Sequence, residues 1–97
     1  MKDIVYYNEL YDYYKELLTE KQKNYFEEYY FNNLSLSEIA ENYDITRNAV
    51  SKQLKIVIEK LDELEEKLSL RKKSIIMEEI MEDIDDKKIV QRMREVI

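Results

Sequence analysis

The chain has 97 residues, 16 Lys and Arg against 22 Asp and Glu, a net charge of −6, and no Gly, Pro, Cys, His or Trp. Tight hairpins draw heavily on Gly and other residues that tolerate positive φ, so a chain with neither Gly nor Pro argues against many strands and for an all-α fold. Without Cys or His there is no disulfide, thiolate site or cysteine nucleophile, and the commonest metal ligand and general base are missing; no metal site and no cofactor is expected.

One modest hydrophobic core, and hence a single all-helical domain over 1–97, fits this length. The opening run MKDIVYYNEL carries Asp3 and lacks a continuous apolar segment, and no run of 18 apolar residues occurs anywhere. The expectation is a cytoplasmic protein without membrane insertion.

In chain order, Ile4, Tyr7, Leu10, Tyr11, Tyr14, Leu17 and Leu18 recur at helical spacing and predict a first helix over 4–18. Thr19 and Gln22 form a capping-box pair that opens a second helix, with Tyr25, Phe26, Tyr29 and Tyr30 on or near its inner face. Aromatic faces can stack on bases, but tyrosines at helical spacing are better read as core rings with wet hydroxyls.

The segment LSLSEIAENYDITRNAVSKQLK at 34–55 carries two helix starts. Ser35 and Glu38 make a second capping box, Leu36, Ile39 and Ala40 face inward, and this short helix is expected to end near Tyr43. Asn42 and Asp44 tolerate a turn or left-handed conformation, Ile45 can plug the gap between helices, and Thr46 caps the next helix. The small Ala40 side chain lets two steeply crossing helices approach closely. Val50 and Leu54 then face inward while Arg47, Asn48, Ser51, Lys52 and Lys55 fall on the opposite side. This is the pattern of a helix-turn-helix over 35–60. Its exposed face is chemically suited to nucleic acid, since Arg or Lys can pair with guanine edges, Asn with adenine, and Ser or Lys with phosphate.

The second helix of the motif runs on. Val50, Leu54, Val57, Leu61, Leu64 and Leu68 have the alternating four-and-three spacing of a heptad seam, on a helix about 34 Å long from Thr46 to Leu68. Val57, Leu61, Leu64 and Leu68 are therefore candidates either for a homodimer seam, the favoured alternative, or for packing within one chain. A helical extension over 61–97 supplies an amphipathic helix from Ser74, carrying Ile75, Ile76, Met77, Ile80, Met81 and Ile84. Asp85 is expected to cap a last helix with Ile89, Val90, Met93, Val96 and Ile97. The basic run Arg71-Lys72-Lys73 lies between these helices, where it suits the negative end of the long helix.

The ordered set LYDYYKELLTEKQKNYFEEYYFNNLSLSEIAENYDITRNAVSKQLK, continued by a long heptad helix ending EEKLSL, resembles the YlxM family of small bacterial proteins. The motif within it is similar to the helix-turn-helix of sigma-factor region 4. The resemblance covers residues 4–70 specifically and the remainder loosely. It implies an all-helical fold and a regulatory role associated with the signal recognition particle, beside whose genes those of the family lie. It places the start of the recognition helix at the run RNAV, so Arg47, Asn48, Ser51 and Lys52 are the positions carried over. Thr46 stands where family members often have Ser.

Charge sharpens the functional question. Residues 1–45 carry a net −6, residues 46–60 a net +3, and residues 61–97 a net −3. A basic stripe on an acidic body implies salt-dependent binding to polyanions, with a slope near −0.9 per phosphate neutralised. Acid pairs such as Glu65-Glu66, Glu78-Glu79 and Asp85-Asp86 are adjacent on helices and point about 100° apart, so they do not converge on a substrate. No phosphate-cradling loop and no nucleophile motif is present, no catalytic residue is assigned, and an enzyme is not expected. The expected function is that of a DNA-binding regulatory protein, a homodimer, with duplex DNA as partner. The alternative is a protein or RNA partner of the signal recognition particle that modulates its assembly or GTPase activity.

Overall fold

The computed structural model describes residues 3–97, so the first two positions of the expected 1–97 domain lie outside the described residues. Helix α1 spans Ile4–Tyr14 and starts at Asp3, whose side chain accepts from the Tyr6 N–H at 3.0 Å. A short 3-10 turn, Lys15–Leu17, ends it. That turn corrects the expectation of one helix over 4–18: the tighter winding rotates Leu17 outward and Leu18 inward. Ile4 and Leu17 are exposed, whereas Tyr7, Leu10, Tyr11, Tyr14 and Leu18 are buried.

Helix α2 spans Glu20–Phe26 and opens with the complete Thr19–Gln22 capping box. It continues as a wider π-type turn over Glu27–Phe31, and Asn33 behind it takes a left-handed conformation. Helix α3 is Leu36–Tyr43, opened by the Ser35–Glu38 capping box. Helix α4 is Arg47–Leu68, with Thr46 accepting from the Ala49 N–H at 3.0 Å. No strand occurs among the described residues.

The long α4 is the spine of two core clusters. Its first half sends Val50 and Leu54 into a cluster with Tyr25, Ile39 and Ala40. Its second half sends Val57 and Leu61 into a cluster with Tyr7, Leu10, Tyr11, Tyr14, Phe26 and their neighbours, while Tyr29 packs against both. The tyrosine stripe is core. Phe26 stacks between Tyr11 and Tyr30, each at 4.4 Å between ring centroids. Phenol hydroxyls reach carboxylates at the rim: Tyr7 donates to Asp62 at 3.1 Å, Tyr14 to Glu65 at 2.6 Å, and Tyr11 to Glu27. Burial first, and these bonds second, push the Tyr7 and Tyr14 hydroxyls up to about 12.

A single residue joins α4 to the next helix. Ser69 is left-handed (φ 54°), its N–H bonds back to the Glu65 carbonyl at 2.8 Å, and helix α5 begins at once over Leu70–Glu82. The expected start at Ser74 is thus four residues late, because the chain turns without any loop to mark the boundary. Arg71, Lys72 and Lys73 accordingly sit in the first turn of α5. The cation-unfriendly end of that helix is offset by Glu65, whose carboxylate accepts from the Arg71 and Lys72 N–H groups at 3.1 Å each, besides the Tyr14 hydroxyl. Arg71 also pairs with Glu9 at 2.5 Å and lies over the Tyr6 ring, which ties α5 to α1.

Helix α6, Lys87–Arg94, is capped by Asp86 rather than Asp85: the Asp86 side chain accepts from the Lys88 and Ile89 N–H groups. Val96 and Ile97 lie beyond its end. Helix α6 turns back along α5, since Arg94 pairs with Glu78 at 2.7 Å and Ile97 lies at the level of Ser74 and Ile75. The whole molecule is elongated, 55 × 24 × 23 Å.

Candidate nucleic-acid interface

The turn between α3 and α4 is made without glycine. Asp44 adopts φ 53°, the Ile45 N–H bonds to the Ala40 carbonyl at 3.0 Å, and the Asp44 N–H bonds to the Glu41 carbonyl at 3.3 Å. Those two bonds are the six-to-one and five-to-two pattern of a Schellman motif, and Ile45 covers Ala40 within the same apolar cluster. Asp tolerates the left-handed region better than most residues with a Cβ, which explains its presence at the pivot. Ala40 is 8% exposed where α3 meets α4, consistent with its small size being needed there.

This geometry fixes the outward face of α4. Arg47, Asn48, Ser51, Lys52 and Lys55 are all exposed; Asn48, Lys52 and Lys55 lie opposite the buried Val50 and Leu54, while Arg47 and Ser51, three residues before them, border the buried face. Lys60 is exposed further along. Ile56, 40% exposed and neighbouring Lys52 and Lys55 on the helix, is not singled out by spacing because it lies off the heptad positions; its alkyl group suits a thymine methyl. On α3, Glu41 is exposed and Glu38 has its carboxylate engaged in the capping box. The Ser35 N–H and hydroxyl hold that carboxyl below its ordinary value.

The four seam candidates fall elsewhere. Val57 and Leu61 are completely buried against α1 and α2, Leu64 packs on the same cluster, and Leu68 is exposed at the helix end. The heptad period marks a buried face, but the chain's own tyrosine-rich helices fill the seam, so Val57 and Leu61 have no surface left for a second copy. Among the described residues, no cluster of carboxylates is placed to hold a metal ion, and no helix is long and apolar enough to cross a membrane.

Two capped helices joined by a tight left-handed turn, the second presenting a polar face, define a helix-turn-helix protein. The family model "UPF0122: Putative helix-turn-helix protein, YlxM / p13 like" matches residues 1–97. The chain belongs to this family. It is 45% identical over 82 residues to a UPF0122 protein of Halalkalibacterium halodurans, covering 80% of this chain and 75% of the relative. It is 42% identical over 95 residues to one of Mycoplasma capricolum, covering 93% and 84%. These relatives carry the family designation and no stated activity.

Proposed function

We propose that the chain is a DNA-binding regulatory protein that docks the exposed face of α4 in the major groove. Arg47, Asn48, Ser51 and Lys52 address base edges or nearby phosphates, and Lys55 and Lys60 address the backbone. The observation that supports this most is the outward basic face of α4, held rigidly by the buried Val50 and Leu54 in an otherwise acidic chain. The role is one of binding, without catalysis or cofactor, and suits the cytoplasm.

With four bases on and near this face, the logarithmic salt slope is limited to roughly −3 to −4 per chain. Titration of labelled duplex DNA at about 50 mM and about 200 mM salt tests this. The paired substitutions Arg47→Ala and Lys52→Ala should abolish binding while leaving the melting temperature within a degree or two. Equal binding by that variant refutes the proposal.

A second reading has support of its own. The net charge of −6 suits a basic protein surface, and the family resemblance points to the signal recognition particle. The particle's protein and its RNA therefore belong in the same titration as competing ligands. Binding to the protein alone, unaffected by the α4 substitutions, assigns the helix-turn-helix a scaffold role.

A further inference from the structure

The C-terminal arm, α5 with α6, is amphipathic and almost uncovered. Met81 is its one buried residue among those described, while Ile75, Ile76, Ile80 and Ile89 are 41%, 44%, 48% and 49% exposed. Helices of 13 and 8 residues gain their stability chiefly by burying an apolar face, so an arm of this kind calls for a cover.

The arm's charges are segregated. Residues 74–86 hold six acids and no base, and α6 holds four bases and no acid. Beside α5 lies an open groove of about 590 Å³ shared with α1. Tyr13 and Ile75 give it an apolar part, and Asp12, Glu79 and Glu82 line it without an ion pair among the described residues. Its other two carboxylates are engaged, Glu9 with Arg71 and Glu78 with Arg94. The groove thus wants a basic helix with an apolar stripe. Such a helix is present in the chain: α6 carries Lys87, Lys88 and Arg92 together with Ile89, Val90 and Met93. In its own chain α6 buries no residue and pairs with the groove's Glu78 through Arg94, and Ile97, beyond its end, lines the groove.

We propose that two copies of the chain associate arm to arm, the basic amphipathic α6 of each lying in the acidic groove between α1 and α5 of the other. The contact is reciprocal, so a two-fold axis closes it as a dimer. Opposite charges fix the register, and Tyr13 and Ile75 of the groove receive the apolar stripe of the inserted α6. The pairing is independent of DNA binding, because it leaves the outward face of α4 free.

The test is the mass of the full chain by sedimentation equilibrium without nucleic acid, through the micromolar range, at low and high salt. The expected result is an approach to twice the 11.9 kDa of one chain, weakened by salt. One variant reverses the helix (Lys87→Glu, Lys88→Glu, Arg92→Glu), and another reverses the groove (Asp12→Lys, Glu79→Lys, Glu82→Lys). Each alone should dimerise at least about tenfold more weakly, a loss of about 1.4 kcal/mol. Mixed together they should form a one-to-one pair, because both contacts of the mixed dimer are again between opposite charges. Circular dichroism of each variant checks that it is folded; a misfolded one is replaced by its Lys→Gln or Glu→Gln counterpart, which should also weaken the dimer. A monomer at every concentration and salt, reversed variants that pair as well as the parent, or variants that fail to pair when mixed would each overturn the proposal. So would a monomer that takes up a Lys- and Leu-rich amphipathic peptide in the groove, which assigns that surface to a different protein.

Discussion

Glu65 is the residue whose loss should cost this fold most for a partly exposed side chain. Glu65→Ala deletes the acceptor for the Tyr14 hydroxyl at 2.6 Å and for the Arg71 and Lys72 N–H groups at 3.1 Å. Hydrogen bonds to a charged group contribute about 1.5–3 kcal/mol, and loss of a helix cap costs about 1 kcal/mol. Water replaces the carboxylate at the more exposed amides, so the three bonds do not add, and the expected loss is about 2–3 kcal/mol. For a domain of this size that lowers the melting temperature by about 10–20 °C. Tyr14→Phe removes both the donor to Glu65 and the acceptor of the Leu70 N–H at 3.0 Å, at about 1–2 kcal/mol. The double variant should lose less than the sum of the two by about 1 kcal/mol, because each single change already breaks the shared bond. Urea unfolding monitored by circular dichroism measures all three. A Glu65→Ala variant within about 0.5 kcal/mol of the parent, or single changes that simply add, would mean that Glu65 does not join these helices.

The same contacts lead to three further outcomes. Ser69→Gly should raise stability by about 0.5–1 kcal/mol by relieving the left-handed conformation between α4 and α5, while Ser69→Val lowers it; equal melting temperatures for both contradict this. Ala40→Leu should cost about 1–3 kcal/mol in a urea titration by wedging α3 from α4, and should weaken DNA binding beyond that of a surface change on α3 such as Ser37→Ala. Stability against pH should fall at both ends. Burial opposes the charge on Glu65, but the Tyr14 hydroxyl and two backbone N–H groups outweigh it and hold its carboxyl low, so its contribution is full above the ordinary carboxylate value and is lost as pH falls through the depressed one. Tyr7, Tyr14 and Tyr30 are raised to about 12, chiefly by burial, so their contribution is full below pH 10 and is lost as pH rises toward 12. A melting temperature unchanged between pH 9 and 12 contradicts that assignment.

Local signals in the sequence are strong where one residue or a fixed spacing decides the structure. Both capping boxes and the left-handed Asp44 arise from contacts no more than a turn or two apart, and helical spacing alone marks Ile39, Val50 and Leu54 as inward. Where distant partners decide, the sequence is silent. The seam of Val57 and Leu61 shows an apolar face, but periodicity carries no information about whether a second copy or α1 covers it. The Glu65 hub joins residues 51 positions apart and has no pattern along the chain. Boundaries are hard to place for a related reason: a one-residue turn at Ser69 and two adjacent aspartates before α6 leave no break in composition to locate.

The outward face of α4 is the surface proposed to meet DNA. This is tested most directly by mapping amide chemical shifts of the isotopically labelled chain on addition of a short duplex at low salt. Changes are expected to concentrate at Arg47, Asn48, Ser51, Lys52 and Lys55, to fade as salt is raised, and to be absent from α1 and from the groove side of α5. No change on α4 at saturating duplex, or changes centred on the arm, would contradict it.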